Sequence, residues 1–281
     1  MMEVFVVNAF CYQDKGGNAA GVVLSSHGLK SKDKMKIAKE LSFSETVFVS
    51  ESKVADYKLE YFTPKDEVDL CGHATIATFS LLNSKGLQKG IYTIETKSGM
   101  LEIEIGKDGR VFMQQCCPAF FEKYSVEEFK DCLPIEYYNS KFPIQAVSTG
   151  LKDILFPVDT IEHLREMKPD FSVMARLNEK QGVVGIHAFA LTEGKESIAE
   201  CRNFAPLYDI DEESATGTSN CALACYLSKY YKKNIEYKFL QGVSMNQPSD
   251  IMVKLDYDED KIHKVFVGGV GIIKEKRIMD F

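Results

Sequence analysis

One arrangement in this chain is written twice. Phe62-Thr63-Pro64 is followed seven residues later by Cys71-Gly72-His73-Ala74 and then a mostly apolar run. Phe204-Ala205-Pro206 is followed ten residues later by Thr216-Gly217-Thr218-Ser219 and a similar run. Upstream, Val47-Phe48-Val49-Ser50-Glu51 recurs as Ala188-Phe189-Ala190-Leu191-Thr192-Glu193, and the offset stays at about 141 to 145 residues throughout. A single match arises easily by chance. Several matches in order, at a near-constant offset, point to two copies of one β-rich unit. The chain's 281 residues suit two such units. The boundary is expected between about residues 115 and 140. We divide the chain into 1–118 and 119–281, with the last strand free to return to the first half.

The local patterns predict an α+β fold. In the first copy, strands are expected over Val4–Phe10, Gly21–Leu24, Thr46–Ser50, Tyr57–Phe62, Ile91–Glu95, Leu101–Ile105 and Arg110–Gln114. Gly16-Gly17-Asn18 reads as a turn. Ser31–Leu41 reads as a helix with Ser31 as its N-cap, and Gly72–Ser84 as a buried helix. The second copy predicts strands over Ile144–Ser148, Ile154–Val158, Val183–Leu191, Ile198–Phe204, Tyr237–Leu240, Ile251–Leu255 and Val265–Val267. Its helices are Ile161–Met167, Asp170–Leu177 and Thr218–Tyr231, preceded by a Ser125-Val126-Glu127-Glu128 capping box.

Composition narrows the partners. A net charge of −7 argues against duplex nucleic acid, which calls for a basic face. No apolar run reaches the roughly 18 to 20 residues of a membrane span, and the start Met1-Met2-Glu3-Val4-Phe5 has no basic export region. A cytoplasmic protein with reduced thiols is expected. The eight cysteines form no CxxC pair, and Cys116-Cys117 and Cys221/Cys225 read as core. No Cys/His cluster has zinc-ligand spacing, so no metal is expected. GxGxxG, P-loop, HExxH and GxSxG motifs are absent, which makes a cofactor-free reaction the economical assumption.

A duplicated fold places its site naturally in the cleft between copies. Each copy offers a glycine turn entering a helix, whose first N–H groups and positive dipole end suit a carboxylate-bearing small molecule. Glu45 stands where a helix hands over to the apolar strand Thr46-Val47-Phe48-Val49. Its counterpart, about Ile186, is not ionisable. Glu45 reads either as a proton-transfer base with a raised pKa or as a cap or surface acid. His73, in the first turn of a helix, is either a neutral hydrogen-bonding group or a histidine bonded to backbone. Glu213 is either a contact for a substrate amine or hydroxyl, or part of a solvated acidic loop from Asp209 to Glu213. Thr218 reads as an N-cap or early-turn residue whose hydroxyl also serves a ligand, and Asn18 as a turn residue. Cys71 is matched by Thr216, so a two-thiol racemase lacks one base; Cys71 reads as a small buried residue.

These residues together resemble the PhzF family, the phenazine-biosynthesis-like isomerases. The similarity runs over nearly the whole chain. It includes Gly17-Asn18-Ala19-Ala20-Gly21, Ser44-Glu45-Thr46-Val47, Glu67-Val68-Asp69-Leu70-Cys71-Gly72-His73-Ala74-Thr75, Arg202-Asn203-Phe204-Ala205-Pro206, Glu213-Ser214-Ala215-Thr216-Gly217-Thr218 and Gln241-Gly242-Val243-Ser244-Met245. The resemblance implies a diaminopimelate-epimerase-like fold of two β-barrel-like halves, each around a central helix. It also implies a homodimer without metal or organic cofactor. The implied chemistry is isomerisation of a dihydro-hydroxyanthranilate by proton transfer between carbons, with Glu45 as general acid/base. Substrate contacts are implied for His73, Glu213 and Thr218, beside the turns at Gly72 and Gly217 and near Asn18. The chain departs from the family pattern where Gly-Asn-Pro is Gly17-Asn18-Ala19, where Asp-Pro is Glu213-Ser214, and where Ser is Thr218. Two other readings stand beside this one: a cysteine-assisted racemase or epimerase, and a binding or scaffold module.

Overall fold

The computed structural model describes residues 2–193 and 196–279. Contacts divide the chain into one unit of residues 1–114 with 268–281, and another of residues 115–267. The first unit begins with β1 (Met2–Ala9), β2 (Asn18–Val23), α1 (Ser31–Leu41), β3 (Glu45–Ser50), β4 (Tyr57–Phe62) and β5 (Glu67–Val68). It continues with α2 (Gly72–Ser84), β6 (Gly90–Thr96), β7 (Gly99–Ile105) and β8 (Val111–Gln115). The second holds β9 (Ala119–Tyr124), β10 (Ile144–Ser148), β11 (Lys152–Val158), α3 (Ile161–Glu166), α4 (Phe171–Gln181), β12 (Gly185–Leu191) and β13 (Ala199–Ala205). Then come β14 (Ile210–Glu213), α5 (Gly217–Tyr230), β15 (Glu236–Gln241), β16 (Ser249–Asp258) and β17 (Lys261–Gly269). The chain returns to the first unit as β18 (Ile272–Met279).

The two ladders have the same topology. In the first unit β1–β2 is antiparallel, β2–β3 parallel, β3–β4 antiparallel, β4–β6 parallel and β6–β7 antiparallel, with the short β5 against β4. In the second, β10–β11, β11–β12, β12–β13, β13–β15 and β15–β16 repeat that alternation, with β14 against β13. Thr46 pairs with Phe62 as Ile186 pairs with Phe204, so Glu45 corresponds to Gly185 and not to Ile186. A Cβ at Gly185 would lie 2.3 Å from the Phe204 carbonyl oxygen, so no acid fits there. Among the described pairings none joins β8 to β18 or β16 to β9, so the ladders form a mixed α/β fold without closing into barrels.

The central helices explain their own sequences. α2 is buried at every position from His73 to Leu81, and α5 at every position from Ser219 to Leu227. Their all-round apolar character follows from that burial. α1 by contrast buries one stripe, Lys34, Ile37, Ala38 and Leu41. Its N-cap is Lys30, not Ser31, and Asp33 accepts from the Lys30 amide at 3.1 Å. The Ser125 capping box opens a 3-10 turn over Val126–Phe129. All eight cysteines are free. Cys221 and Cys225 are core, but Cys116 and Cys117 are exposed, because the chain leaves the sheet after β8. Among the described residues no helix is long and apolar enough to cross a membrane.

Candidate active site

The first glycine turn gathers an acid, an imidazole and a thiol. Gly16 and Gly17 take φ of 59° and 80° and start β2 at Asn18. At Gly17 a Cβ would meet the Ala9 carbonyl oxygen at 2.4 Å, so glycine is required. The parallel register sets Ala20 beside Glu45, the first residue of β3. Glu45 Oε2 stands 3.4 Å from His73 Nε2, which also lies 3.4 Å from Ser44 Oγ. On the other side of the ring, Nδ1 is 3.4 Å from Cys71 Sγ and 3.5 Å from Asn18 Nδ2. One donor atom each from Glu45, Cys71 and His73 falls within a 4.8 Å span, but the thiol lies on the Nδ1 side of the ring and the carboxylate at Nε2, so the three do not converge on one ion.

Two features distinguish this cluster. Burial lowers the pKa of His73, against the opposing pull of Glu45 and of the Ala19 backbone, so the ring is neutral at neutral pH. A neutral imidazole offers one N–H and one lone pair. Glu45 Oε2 is buried and takes no hydrogen bond within the described structure, yet the side chain as a whole is 21 % exposed. A buried acceptor without a partner is an exception among buried polar groups and calls for an explanation. Cys71 is the N-cap of α2 but makes no side-chain cap, and a Cβ at Gly72 would meet nothing within 4 Å. Space is therefore open beside the Gly72 Cα, at the start of α2.

The second glycine turn is braced instead. β14 lays Glu213 opposite Asn203, so this segment is a strand and not a solvated loop. Thr216 Oγ donates to Glu213 Oε2 at 2.6 Å. The wholly buried Gln241 donates through Nε2 to the Glu213 carbonyl (2.8 Å) and Thr216 Oγ (3.1 Å). Its Oε1 accepts from the Thr216 amide (3.2 Å) and Asn220 Nδ2 (2.7 Å). Glu212 beside it grips Arg202 through two bonds of 3.0 and 2.7 Å. Thr218 lies in the first turn of α5, after Gly217, and its carbonyl accepts from Thr149 Oγ at 2.9 Å. Beneath it Ser219 Oγ donates to the fully buried Asp153 at 2.6 Å, and burial pushes that carboxyl up to about 6. Burial likewise pushes His187 down to about 4.

Thr160 caps α3 and Asp170 caps α4 with side-chain bonds of 3.1 and 3.0 Å, whereas α1, α2 and α5 begin without a bond from the N-cap side chain. The structure therefore joins Asn18, Glu45 and His73 in the first unit, and groups Glu213, Gly217 and Thr218 in the second. Ser44 and Gln241, although within the motifs quoted above, carry no role that spacing reveals. A Gln-Gly pair closing a strand is the only signal for the brace.

A family model described as "Phenazine biosynthesis-like protein" (PhzC-PhzF) matches residues 7–277. The chain is 32 % identical to the "Uncharacterized isomerase YfhB" of Bacillus subtilis, covering 99 % of this chain and 98 % of that one. It is 25 % identical to the "Trans-2,3-dihydro-3-hydroxyanthranilate isomerase" of Pseudomonas chlororaphis over 97 % of both. The crystal structure of a Bacillus anthracis phenazine biosynthesis protein of the PhzF family superposes with a TM-score of 0.89 at 31 % identity, covering 98 % of both chains. With matched length, shared fold and the glycine-turn motifs in place, the chain belongs to the PhzC-PhzF family, whose named relatives here are isomerases.

Proposed function

We propose that this chain isomerises a small carboxylate by moving a proton between two of its carbons, with Glu45 taking and returning that proton. The observation that carries this reading is the buried Oε2 of Glu45, which has no hydrogen-bond partner and stands 3.4 Å from the neutral ring of His73. His73 holds the carboxylate in place and hydrogen-bonds the substrate; Asn18 fixes the ring at Nδ1. The amides at Gly72 bind the substrate carboxylate and stabilise negative charge as the C–H bond breaks. In the second unit, Gly217 and Thr218 offer hydrogen bonds to a ligand, and Glu213 offers a carboxylate to an amine or hydroxyl. The chemistry proceeds on these side chains without an organic cofactor. A dihydro-hydroxyanthranilate-like ring acid is the substrate class, in keeping with the Pseudomonas chlororaphis relative's name. The longer Glu213 and the extra methyl of Thr218 reshape the pocket relative to the family pattern.

Proton NMR in D2O tests this reading with dihydro-hydroxyanthranilate and a panel of small amino and cyclic carboxylates. Wild type should place deuterium on carbon in at least one of them. Glu45→Gln, with its melting temperature unchanged, should lose the exchange by about 10²- to 10⁴-fold. Undiminished exchange in Glu45→Gln removes the residue from this role.

The contact between Cys71 Sγ and His73 Nδ1 favours one second reading, an epimerase in which Cys71 is one of the bases. Thr216 occupies the matching place in the second turn, so the opposite thiol is missing. Near-normal turnover in Cys71→Ala rejects this alternative.

A further inference from the structure

Two exposed thiols stand next to one another, and the proposed chemistry uses neither. Cys116 and Cys117 are exposed, while the other six cysteines are buried. They lie between β8 and β9, directly before Pro118. Both residues are tied to neighbouring strands. The Cys116 amide donates to the Thr149 carbonyl at 3.1 Å, and Cys117 Sγ donates to the His263 carbonyl at 3.1 Å.

Adjacency sets the chemistry of this dithiol. Neighbouring Cα atoms are about 3.8 Å apart across a trans peptide. A relaxed disulfide joins Cα atoms about 4.4 to 6.8 Å apart. A bridge between Cys116 and Cys117 therefore closes only by deforming the peptide between them. Strained, exposed disulfides are the easily reduced ones, suited to reversible control and not to stapling a fold.

The same peptide leads to the second glycine turn. Thr149, whose carbonyl accepts from the Cys116 amide, donates through Oγ to the Thr218 carbonyl at 2.9 Å. A Cβ on the next residue, Gly150, would lie 3.7 Å from the Thr218 methyl. Two hydrogen bonds thus connect the dithiol to the first turn of α5. Ring closure draws Cys117 Sγ off the His263 carbonyl and turns the Cys116 amide against Thr149.

We propose that hydrogen peroxide oxidises Cys116 and Cys117 to a reversible disulfide, and that closure shifts Thr218 through Thr149 and weakens ligand binding at the second turn. One thiolate attacks the peroxide and breaks its O–O bond, leaving a sulfenic acid and, with a proton, water. The second thiol attacks that sulfur and expels another water. The two sulfurs together lose two electrons and the peroxide gains them. A dithiol reductant restores both thiols. The modification stands on the two thiols alone; the effect on ligand rests on the proposed role of Thr218.

Full-length reduced protein is treated with one equivalent of hydrogen peroxide, then denatured and alkylated. Wild type should lose two of its eight alkylatable thiols, and peptide mapping should place both losses at Cys116 and Cys117. Dithiothreitol should restore them. The double variant Cys116→Ser/Cys117→Ser, with its melting temperature unchanged, should keep all its remaining thiols. No paired loss in wild type, earlier loss of the buried thiols, or a bridge from either residue to a different cysteine overturns the site. The Thr218 methyl resonance, read without substrate, should shift on oxidation of wild type and stay fixed in the double variant. An unmoved methyl would overturn the coupling while the modification site stands. These readings need no substrate, so they are independent of the proposed function. In the exchange assay, oxidation should raise the substrate concentration for half-maximal rate about two- to tenfold, the worth of one lost hydrogen bond, at an unchanged limiting rate. A fall in limiting rate that persists in the double variant would assign the effect to another thiol and overturn the link to ligand binding.

Discussion

The two glycine turns share a topology and differ in chemistry. Cys71-Gly72-His73 and Thr216-Gly217-Thr218 each follow a short strand and open a buried helix without a side-chain cap. Around the first, the buried Oε2 of Glu45 has no hydrogen-bond partner and stands 3.4 Å from a neutral ring, with a thiol on the other side of that ring. Around the second, Gln241 makes four hydrogen bonds that fix Thr216, Asn220 and the Glu213 backbone. The acids are also placed differently. Glu45 has no counterpart because Gly185 has no room for a side chain, while Asp153, one of the second unit's buried acids beside Glu200, sits at the ladder position of Ala20. Asp153 is 2 % exposed and held by Ser219, a structural carboxyl rather than one that meets a solute. The second unit also holds buried oxygens without a hydrogen-bond partner, Asp153 Oδ1 and Asn220 Oδ1, so the contrast lies in which groups meet: an acid, an imidazole and a thiol at the first turn, a glutamine brace at the second.

The bracing of the second turn can be broken to measure this contrast. Arg202→Met should have the largest effect on stability. It removes the bidentate bond to Glu212 and the bonds to the Leu164 and Met167 carbonyls, leaving a half-buried acid. A loss of about 3 to 5 kcal/mol in chemical denaturation is expected, with the His73 imidazole resonances in place. A loss below 1 kcal/mol would mean that β14 is not held through Arg202.

Next comes a pair of opposed pH effects. Asp153 binds protons more tightly folded than unfolded, so its contribution to stability falls as pH rises from about 4 to about 6. His187 binds them less tightly folded, so its contribution grows from about pH 4 to about 6.5. Each effect is on the order of 3 kcal/mol, and in wild type they nearly cancel. His73, also lowered by burial, adds to the His187 side, so wild-type denaturation midpoints should rise with pH across this window, less steeply than in Asp153→Asn. Relative to wild type, they should rise more steeply with pH in Asp153→Asn and turn downward in His187→Gln. Parallel profiles in all three proteins would show that neither group titrates as its burial implies.

Gln241→Leu should cost about 1 to 3 kcal/mol, because Thr216 and Asn220 lose buried partners. It should also raise the substrate concentration needed for half-maximal exchange without lowering the limiting rate. A fall in limiting rate at unchanged affinity would place the brace in the chemistry itself. The smallest effect belongs to Gly72→Ala. Open space and a helical backbone make the methyl neutral to stabilising by up to about 1 kcal/mol. If the substrate carboxylate docks at Gly72 as proposed, the same methyl should weaken its binding; unchanged binding would move the carboxylate elsewhere.

The repeat was readable because buried helices cannot hide. All-round apolar runs after Cys71-Gly72 and Thr216-Gly217 mark α2 and α5 to within a residue at their starts. Strands with alternating or apolar faces, such as Tyr57–Phe62 and Ile144–Ser148, were equally plain. Strands that bury little were not. Glu67–Val68 and Ile210–Glu213 are too short for a pattern, Ala119–Tyr124 is half exposed, and the charges of Ile272–Met279 mask its pairing with β1. At the site, Glu45, His73 and Asn18 stood out as separate residues, but nothing in their spacing shows that β2, β3 and α2 bring them into one cluster with Cys71. That depends on parallel pairing across a helical crossover, which sequence distance does not encode. Gln241 stayed silent for the same reason, because its partners lie 21 to 28 residues away.

The asymmetry between the turns has one direct test: deuterium incorporation measured side by side in Glu45→Gln and Glu213→Gln, across substrate concentration. The account predicts that Glu45→Gln abolishes the limiting rate of exchange, whereas Glu213→Gln keeps that rate and shifts only the concentration dependence. A limiting rate lost in Glu213→Gln and retained in Glu45→Gln would contradict it.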